Sequence, residues 1–206
     1  MTEIGIVNYG MGNIASVNNA INHIGFNAFI INNPADFRKA DKVILPGVGA
    51  FPRAIENISY LGLSEALNEY ALVKKKYILG LCLGMQLLFE DSEEHGHHKG
   101  LNWIEGNVLD LKKHVHNLPI PHMGWNTILK KGDNLLLKNI PEDQLDFYFV
   151  HNYFCKCKNP SESIANLEYG IPIDVMVQKE NIFGCQFHPE KSQKSGLQLL
   201  KNFCEL

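Results

Sequence analysis

Tyr77-Ile78-Leu79-Gly80-Leu81-Cys82-Leu83-Gly84-Met85-Gln86-Leu87-Leu88-Phe89 is the stretch on which the reading of this chain turns. The apolar run over 77–81 predicts a buried strand, and Leu83 to Glu90 predicts the helix that follows it. Between them, Gly80-x-Cys82-x-Gly84 is the cysteine counterpart of the G-x-S-x-G nucleophile elbow. So tight a turn leaves no room for bulky side chains two positions to either side, and glycine at both flanks removes the conflict. The turn also sets Cys82 at a helix N-terminus, where the dipole and free N–H groups favour thiolate over thiol. The amide of Leu83 would then point toward a developing oxyanion. The competing reading is a small core cysteine, since free cysteines are often buried.

Upstream of the elbow, strand and helix patterns alternate. Ile4 to Asn8 is a short apolar run that ends in Tyr9-Gly10-Met11-Gly12-Asn13. Asn13 is placed to cap a helix carrying Ile14, Val17, Ile21 and Ile24 on one face, stopped by Gly25. Phe26 to Ile31 and Lys42 to Leu45 read as further strands, the latter broken by Pro46-Gly47, with helical patterns over about 50–58 and 62–75. This order predicts an α/β fold, a mostly parallel central sheet flanked by helices. In such sheets sites gather beyond the carboxyl ends of the strands, where the Gly-rich segments after the first, third and fourth strands would meet. The second half is richer in strands, over 107–111, 125–129, 145–154, 164–169 and 174–178, with a closing helix over 195–203. These add partly antiparallel strands to one domain spanning 1–206.

Composition narrows the class. The chain has 206 residues, 45% hydrophobic and 20% charged, as expected of a soluble globular protein. A formal charge of -3 offers no basic surface for nucleic acid. No run approaches the roughly 20 apolar residues that span a bilayer. Met1-Thr2-Glu3-Ile4 leads straight into a strand pattern with no secretory signal. Five cysteines, an odd number, form a poor disulfide framework and point to a reducing cytoplasm.

A thiol nucleophile needs a base oriented by a third group. Phe187-His188-Pro189-Glu190 supplies both. Pro189 biases His188 toward extended backbone, where residues two apart project to the same side. Glu190 would accept from one ring nitrogen of His188 and leave the other for Cys82. A surface turn with an incidental His and Glu is the plain alternative. The third element is Pro46-Gly47-Val48-Gly49-Ala50-Phe51, whose glycines let backbone amides approach an oxyanion or carboxylate. A tight turn with no ligand reads equally well there.

Other features carry less. His95-Gly96-His97-His98 lacks the spacing of a four-ligand zinc site and lies in a polar loop, so no metal or cofactor is implied. Cys155-Lys156-Cys157 on a strand turns both sulfurs to one packed face. Cys185 has no base of its own in sequence. Lys74-Lys75-Lys76 reads as a solvated helix end.

Taken together, these motifs resemble the class I (triad-type) glutamine amidotransferases, in that family's order and over essentially the whole chain. Within the family they are similar to the glutaminase subunits that serve imidazole glycerol phosphate synthase. Six stretches carry that match: Asn8-Tyr9-Gly10-Met11-Gly12-Asn13, Gly47-Val48-Gly49-Ala50-Phe51-Pro52, Cys82-Leu83-Gly84-Met85-Gln86-Leu87-Leu88-Phe89, Pro121-His122-Met123-Gly124-Trp125-Asn126, Tyr148-Phe149-Val150-His151 and Gln186-Phe187-His188-Pro189-Glu190-Lys191-Ser192.

The resemblance implies a Cys82 thiolate attacking the side-chain amide of L-glutamine, with His188 and Glu190 completing the triad. It implies that Gly47, Val48, Gly49, Leu83 and Gln86 contact the glutamine or its oxyanion. His151, Asn152 and Tyr153 would grip the glutamine backbone. The ammonia would pass to a (β/α)8 cyclase partner in a heterodimer of histidine biosynthesis. That partner would dock on Tyr9, Gly10, Met11, Asn13, Trp125, Tyr148 and Lys191. For Trp125, a half-buried strand residue is the alternative. The oxyanion amides are expected to be incompletely aligned without the partner, because idle glutamine hydrolysis is wasteful. The family commonly has Asp where this chain has Asn8, and Ser where it has Asn152. Those departures leave open a paralogue that feeds another synthase, such as a surface-sugar amidation enzyme. A silent binding module on the same fold would predict a broken elbow or a missing base, and the chain has both elbow and base.

Overall fold

Val43-Ile44-Leu45 and Ile78-Leu79-Gly80-Leu81 are apolar at every position because both faces of their strands are covered. In the computed structural model, which describes residues 2–206, Val43, Leu45 and Ile78 pack on one side of the sheet, with Phe51, Ile58 and Leu67. Ile44, Leu79 and Leu81 pack on the other, with Val17, Ile21 and Phe203. The first half runs β1 (Glu3–Val7), α1 (Ile14–His23), β2 (Asn27–Ile31), β3 (Lys42–Gly47), α2 (Phe51–Tyr60), α3 (Leu63–Asn68), β4 (Ile78–Cys82) and α4 (Leu83–Gln86). A π turn over Glu69–Val73 prolongs α3. Then come β5 (Phe89–Ser92), β6 (His98–Lys99), β7 (Ile104–Asp110), α5 (Leu111–His114), β8 (His122–Thr127) and β9 (Leu129–Lys130). The chain closes with β10 (Asp146–His151), β11 (Tyr153–Cys157), β12 (Ser163–Glu168), β13 (Pro172–Lys179), β14 (Ile182–Cys185) and α6 (Gln193–Glu205).

The main sheet has the order β2-β1-β3-β4-β14-β13-β11-β7-β5-β6, with β12 pairing off β13 and β9 in turn pairing with β12. From β2 through β14 its neighbours are parallel. From β14 to β7 they are antiparallel. This is the predicted α/β sheet with antiparallel strands in the second half. β8 and β10 form a separate antiparallel pair. Among the described residues no helix is long and apolar enough to cross a membrane.

Four local expectations change. β3 does not break at Pro46-Gly47; it runs through both, with Gly47 opposite Cys82. Its pairing with β1 ends at Ile44, so the N–H that Pro46 lacks has no β1 acceptor to miss. The helix expected over 83–90 stops at Gln86, and Phe89 to Ser92 becomes β5, parallel to β7. There the Leu87 and Leu88 carbonyls accept from Leu101 and Trp103, so tertiary pairing outweighs helical periodicity. The strand expected over 145–154 divides at Asn152, β10 pairing with β8 and β11 with β7. Asn13 stands at the start of α1, but its side chain makes no capping bond; its carbonyl accepts from Val17 instead. Two strands went unread: the two-residue β6 inside the polar loop, and β14, four residues with a glycine inside, which inserts between β4 and β13.

Candidate active site

Three parallel strand ends build the site. β4 delivers Cys82; β3 on one side delivers Gly47 and the Val48-Gly49 turn; β14 on the other continues into Gln186-Phe187-His188. Cys82 has φ 52° and ψ -109°, a strained backbone for a residue with a Cβ. The flanking glycines make that turn possible. A Cβ on Gly80 would stand 2.5 Å from the Gly84 carbonyl oxygen, and one on Gly84 would run into the Leu45 carbonyl oxygen of β3. The second collision is with the neighbouring strand rather than across the elbow. Leu83 opens α4, so its amide has no intrahelical acceptor.

His188 has extended backbone, and a 3-10 turn over Pro189–Lys191 folds Glu190 back toward it. Nδ1 of His188 donates to Glu190 Oε1 at 2.9 Å, with both side chains buried. Nε2 is buried without a hydrogen-bond partner among the described residues, and His188 lines the same pocket as Cys82. Burial by itself pulls the imidazole pKa down, but Cys82 and Glu190 outweigh it and push His188 up to about 10. At neutral pH it is therefore an imidazolium, the counter-charge that a thiolate needs. The His188 amide donates to Tyr148 O, and Ser192 Oγ donates to His188 O while accepting from the Tyr148 amide. β10 thus braces the His188 backbone.

The pocket over Cys82 has a volume of about 310 Å³, near the lower end of ~300–1,000 Å³ for small-molecule sites. Val48, Gly49, Leu83 and Gln86 line one part of it, and His151, Asn152 and Tyr153 another. Gly47 lies just behind, in a smaller recess with Asn13 and Glu190. A larger cleft of about 480 Å³ between Lys130 and Ile140 includes no triad residue.

Two lining residues, Val150 and Glu94, carry no site role in the sequence reading. Glu94 is the more telling. Its Oε2 accepts from the Phe51 amide at the start of α2, and as a carboxylate on the pocket wall it suits a substrate ammonium. Ser92-Glu93-Glu94 reads only as polar loop in sequence, because its approach to α2 is a tertiary event.

A buried polar chain joins this pocket to β8. Asn126 Nδ2 donates to His122 Nε2 at 2.8 Å, and His122 Nδ1 donates to His151 Nε2 at 2.8 Å. His151 Nδ1 then donates to Tyr153 O at 2.8 Å. That last carbonyl can only accept, so every tautomer follows from it. Burial pulls His122 down to about 4. Burial, and then the neighbouring His122, pull His151 down to about 3. Both rings are neutral.

Of the residues matched to a docking face, Trp125, Tyr148 and Lys191 stand together. Trp125 lies opposite Tyr148 across the β8–β10 pair with its ring edge-on, and Lys191 Nζ sits 5.8 Å from the Tyr148 ring centroid. Trp125 is 46% exposed, which agrees with its reading as a half-buried strand residue and still leaves it at the surface. Gly10 is exposed, and Met11 and Asn13 are half-buried. Tyr9 departs from that reading: its side chain is fully buried and its hydroxyl donates to Pro46 O at 2.7 Å. It supports the β3 turn from beneath, and its aromatic ring is unavailable to a partner.

The two departures are accommodated. Asn8 Oδ1 accepts from the Gly10 amide while Nδ2 donates to Asn32, bonds that hold the 9–13 loop. Asn152 is exposed and its carbonyl accepts from Leu111. The other cysteines are buried, and burial pushes Cys155, Cys157 and Cys185 up, away from reactive thiolate. Cys155 and Cys157 do share one packed face. His95 is exposed, on the turn between β5 and β6. Lys74 and Lys75 pair with Glu69 and Glu180 on the surface.

The fold and the Cys82, His188 and Glu190 cluster fit a thiol amidotransferase, and the chain matches the family described as "Glutamine amidotransferase class-I" over residues 5–206. It belongs to that family. Within it the chain is HisH-like. It is 46% identical to imidazole glycerol phosphate synthase subunit HisH 2 of Vibrio vulnificus (strain YJ016), covering 98% of this chain and 94% of that one. It is 47% identical to subunit HisH 1 of Campylobacter jejuni (strain RM1221), covering 98% and 100%. A solved structure described as "Crystal structure of glutamine amidotransferase" matches at a TM-score of 0.74 and 16% identity, over 98% of this chain and 97% of that one. It shares the fold.

Proposed function

We propose that this chain is the glutaminase subunit of imidazole glycerol phosphate synthase, hydrolysing L-glutamine to glutamate and ammonia for a cyclase partner in histidine biosynthesis. We assign Cys82, His188 and Glu190 as the catalytic triad of one domain spanning 1–206. The observation that carries this is the strained Cys82 elbow facing a buried His188–Glu190 pair across one pocket. Cys82 thiolate attacks the side-chain carbonyl carbon of glutamine. The oxyanion that forms is held by the Leu83 amide and by backbone amides of the Gly47–Gly49 turn. As this intermediate collapses, the C–N bond breaks, His188 gives its proton to the leaving nitrogen, and ammonia departs. His188, now neutral, takes a proton from water as the water attacks the thioester carbon; the C–S bond then breaks, Cys82 leaves as thiolate beside the re-formed imidazolium, and glutamate is released. Glu190 holds the ring and its charge throughout. Gln86, His151, Asn152 and Tyr153 orient the substrate, and Glu94 meets its ammonium.

Replacing Cys82 with Ala should abolish ammonia release from glutamine in the presence of the cyclase; retained turnover would sink the assignment. The docking face we assign is Gly10, Met11, Asn13, Trp125, Tyr148 and Lys191. A second reading rests on Asn8 and Asn152: a paralogous glutaminase that supplies a different synthase. Which acceptor becomes aminated when the chain is mixed with candidate partners separates the two.

A further inference from the structure

We propose that Gln186 is a further catalytic residue, its side-chain amide donating the hydrogen bond that holds the Cys82 sulfur as thiolate. This rests on the glutaminase reading above. Gln186 is the first residue beyond β14, and it is fully buried. A buried primary amide must find partners for its oxygen and its nitrogen. Nε2 of Gln186 lies 3.6 Å from Cys82 Sγ, and Oε1 accepts from Gln86 Nε2 at 3.1 Å.

The orientation of that amide follows from its surroundings. Gln86 Nε2 also donates to Tyr153 O at 3.2 Å. A backbone carbonyl only accepts, so Gln86 must turn its nitrogen to that side. Gln186 then has to present oxygen to Gln86, which leaves its nitrogen facing the sulfur. A flipped Gln186 would set nitrogen against nitrogen and oxygen against sulfur lone pairs. The same Tyr153 carbonyl accepts from His151, which places the anchor of this donor at the end of the His122–His151 chain.

The chemistry follows from the charge. A hydrogen bond donated to the ionised form favours that form, and donation to a charged acceptor is the stronger kind. Gln186 and His188 follow β14 two residues apart, the first within 3.6 Å of the Cys82 sulfur and the second lining the same pocket as Cys82. With Gln186 donating and the His188 imidazolium lining the same pocket, the thiolate is held ready for attack and again stabilised as the leaving group when water cleaves the thioester. Gln86, matched to substrate contact, gains a second role in aiming Gln186.

The decisive experiment reads the sulfur directly. The rate of Cys82 alkylation by iodoacetamide, followed by peptide mass spectrometry across pH, is compared in the wild-type chain, Gln186→Met and Gln86→Met. Gln186→Met keeps the side-chain length and removes the donor. Its alkylation midpoint should move up by roughly one pH unit, and kcat for glutamine hydrolysis with the cyclase should fall roughly tenfold. Gln86→Met leaves Gln186 in place but frees its orientation; its midpoint should move the same way by less, and it carries the test if Gln186→Met fails to fold. A folded Gln186→Met with the wild-type midpoint overturns the proposal, as does an unshifted Gln86→Met when the first variant does not fold. Because alkylation needs no glutamine turnover, an inactive wild type with shifted variant midpoints would reject the glutaminase reading and keep Gln186 as the donor.

Discussion

At Cys82 the backbone and the side-chain chemistry depend on the same few atoms. The left-handed backbone that brings Cys82 to the pocket wall exists because Gly80 and Gly84 leave room for the Gly84 and Leu45 carbonyls. Opposite it, His188 stays protonated because Cys82 and Glu190 together overcome its burial. Replacing Glu190 with Gln keeps a hydrogen-bond acceptor and removes the charge, so the imidazolium loses one of its two supports. The expected result is a fall of roughly 10²-fold in kcat, within the range that positioned acid–base groups contribute. The alkaline limb of the kcat profile should also move to lower pH, because His188 then loses its proton earlier. Steady-state ammonia release across pH, with the cyclase present, checks both. An unchanged alkaline limb would mean that Glu190 positions the ring without holding its charge.

Among the elements, the β8–β10 pair ties the exposed Trp125–Tyr148–Lys191 face to the pocket through the neutral His122–His151 chain. Those two rings set an acid limit on stability. Unfolded, each binds a proton near pH 6.5; folded, their values are about 4 and about 3. Between pH 6.5 and those values the unfolded chain holds more protons. The stability they contribute is therefore complete above pH 6.5 and is lost as pH falls, by about 1.4 kcal/mol per pH unit per proton. His188 acts in the opposite sense: raised to about 10, its contribution is complete below pH 6.5 and is lost as pH rises toward 10. Urea-midpoint stability should accordingly peak close to pH 6.5. His122→Phe, which preserves stacking on Phe149 and Tyr169, should flatten the acid side and leave the alkaline side unchanged. A variant with the full acid slope would show that other groups set it.

The proposed docking face and the pocket over Cys82 both draw on one strand, β10. Its Tyr148 carbonyl accepts from the His188 amide, and its last residue, His151, lines the pocket. On the proposed docking face, a partner seated on Trp125 and Tyr148 would press on the strand that holds the His188 backbone. Glutaminase activity should rise well above the free-subunit rate when the cyclase and its ribotide ligand are added. Equal rates with and without them would refute this coupling.

The candidate triad, the Gly47–Gly49 turn and the doubly wound first half were legible in the sequence. Each depends on neighbours close along the chain: a glycine two residues from a cysteine, a proline next to a histidine, an apolar run buried on both faces. What only the tertiary structure decided lies in contacts between distant segments. Phe89–Ser92 carries a helical pattern yet pairs with β7, because the backbone from Leu87 to Phe89 finds partners in the 100–104 segment. β14 is too short and too glycine-interrupted to stand out until β4 and β13 flank it. Tyr9 reads as a loop residue and is buried, since the β3 turn needs a hydroxyl on the Pro46 carbonyl. Glu94 and Gln186 become site residues only when β5 and β14 bring them to Cys82, because periodicity records which face a side chain takes and says nothing of which distant atom it will meet.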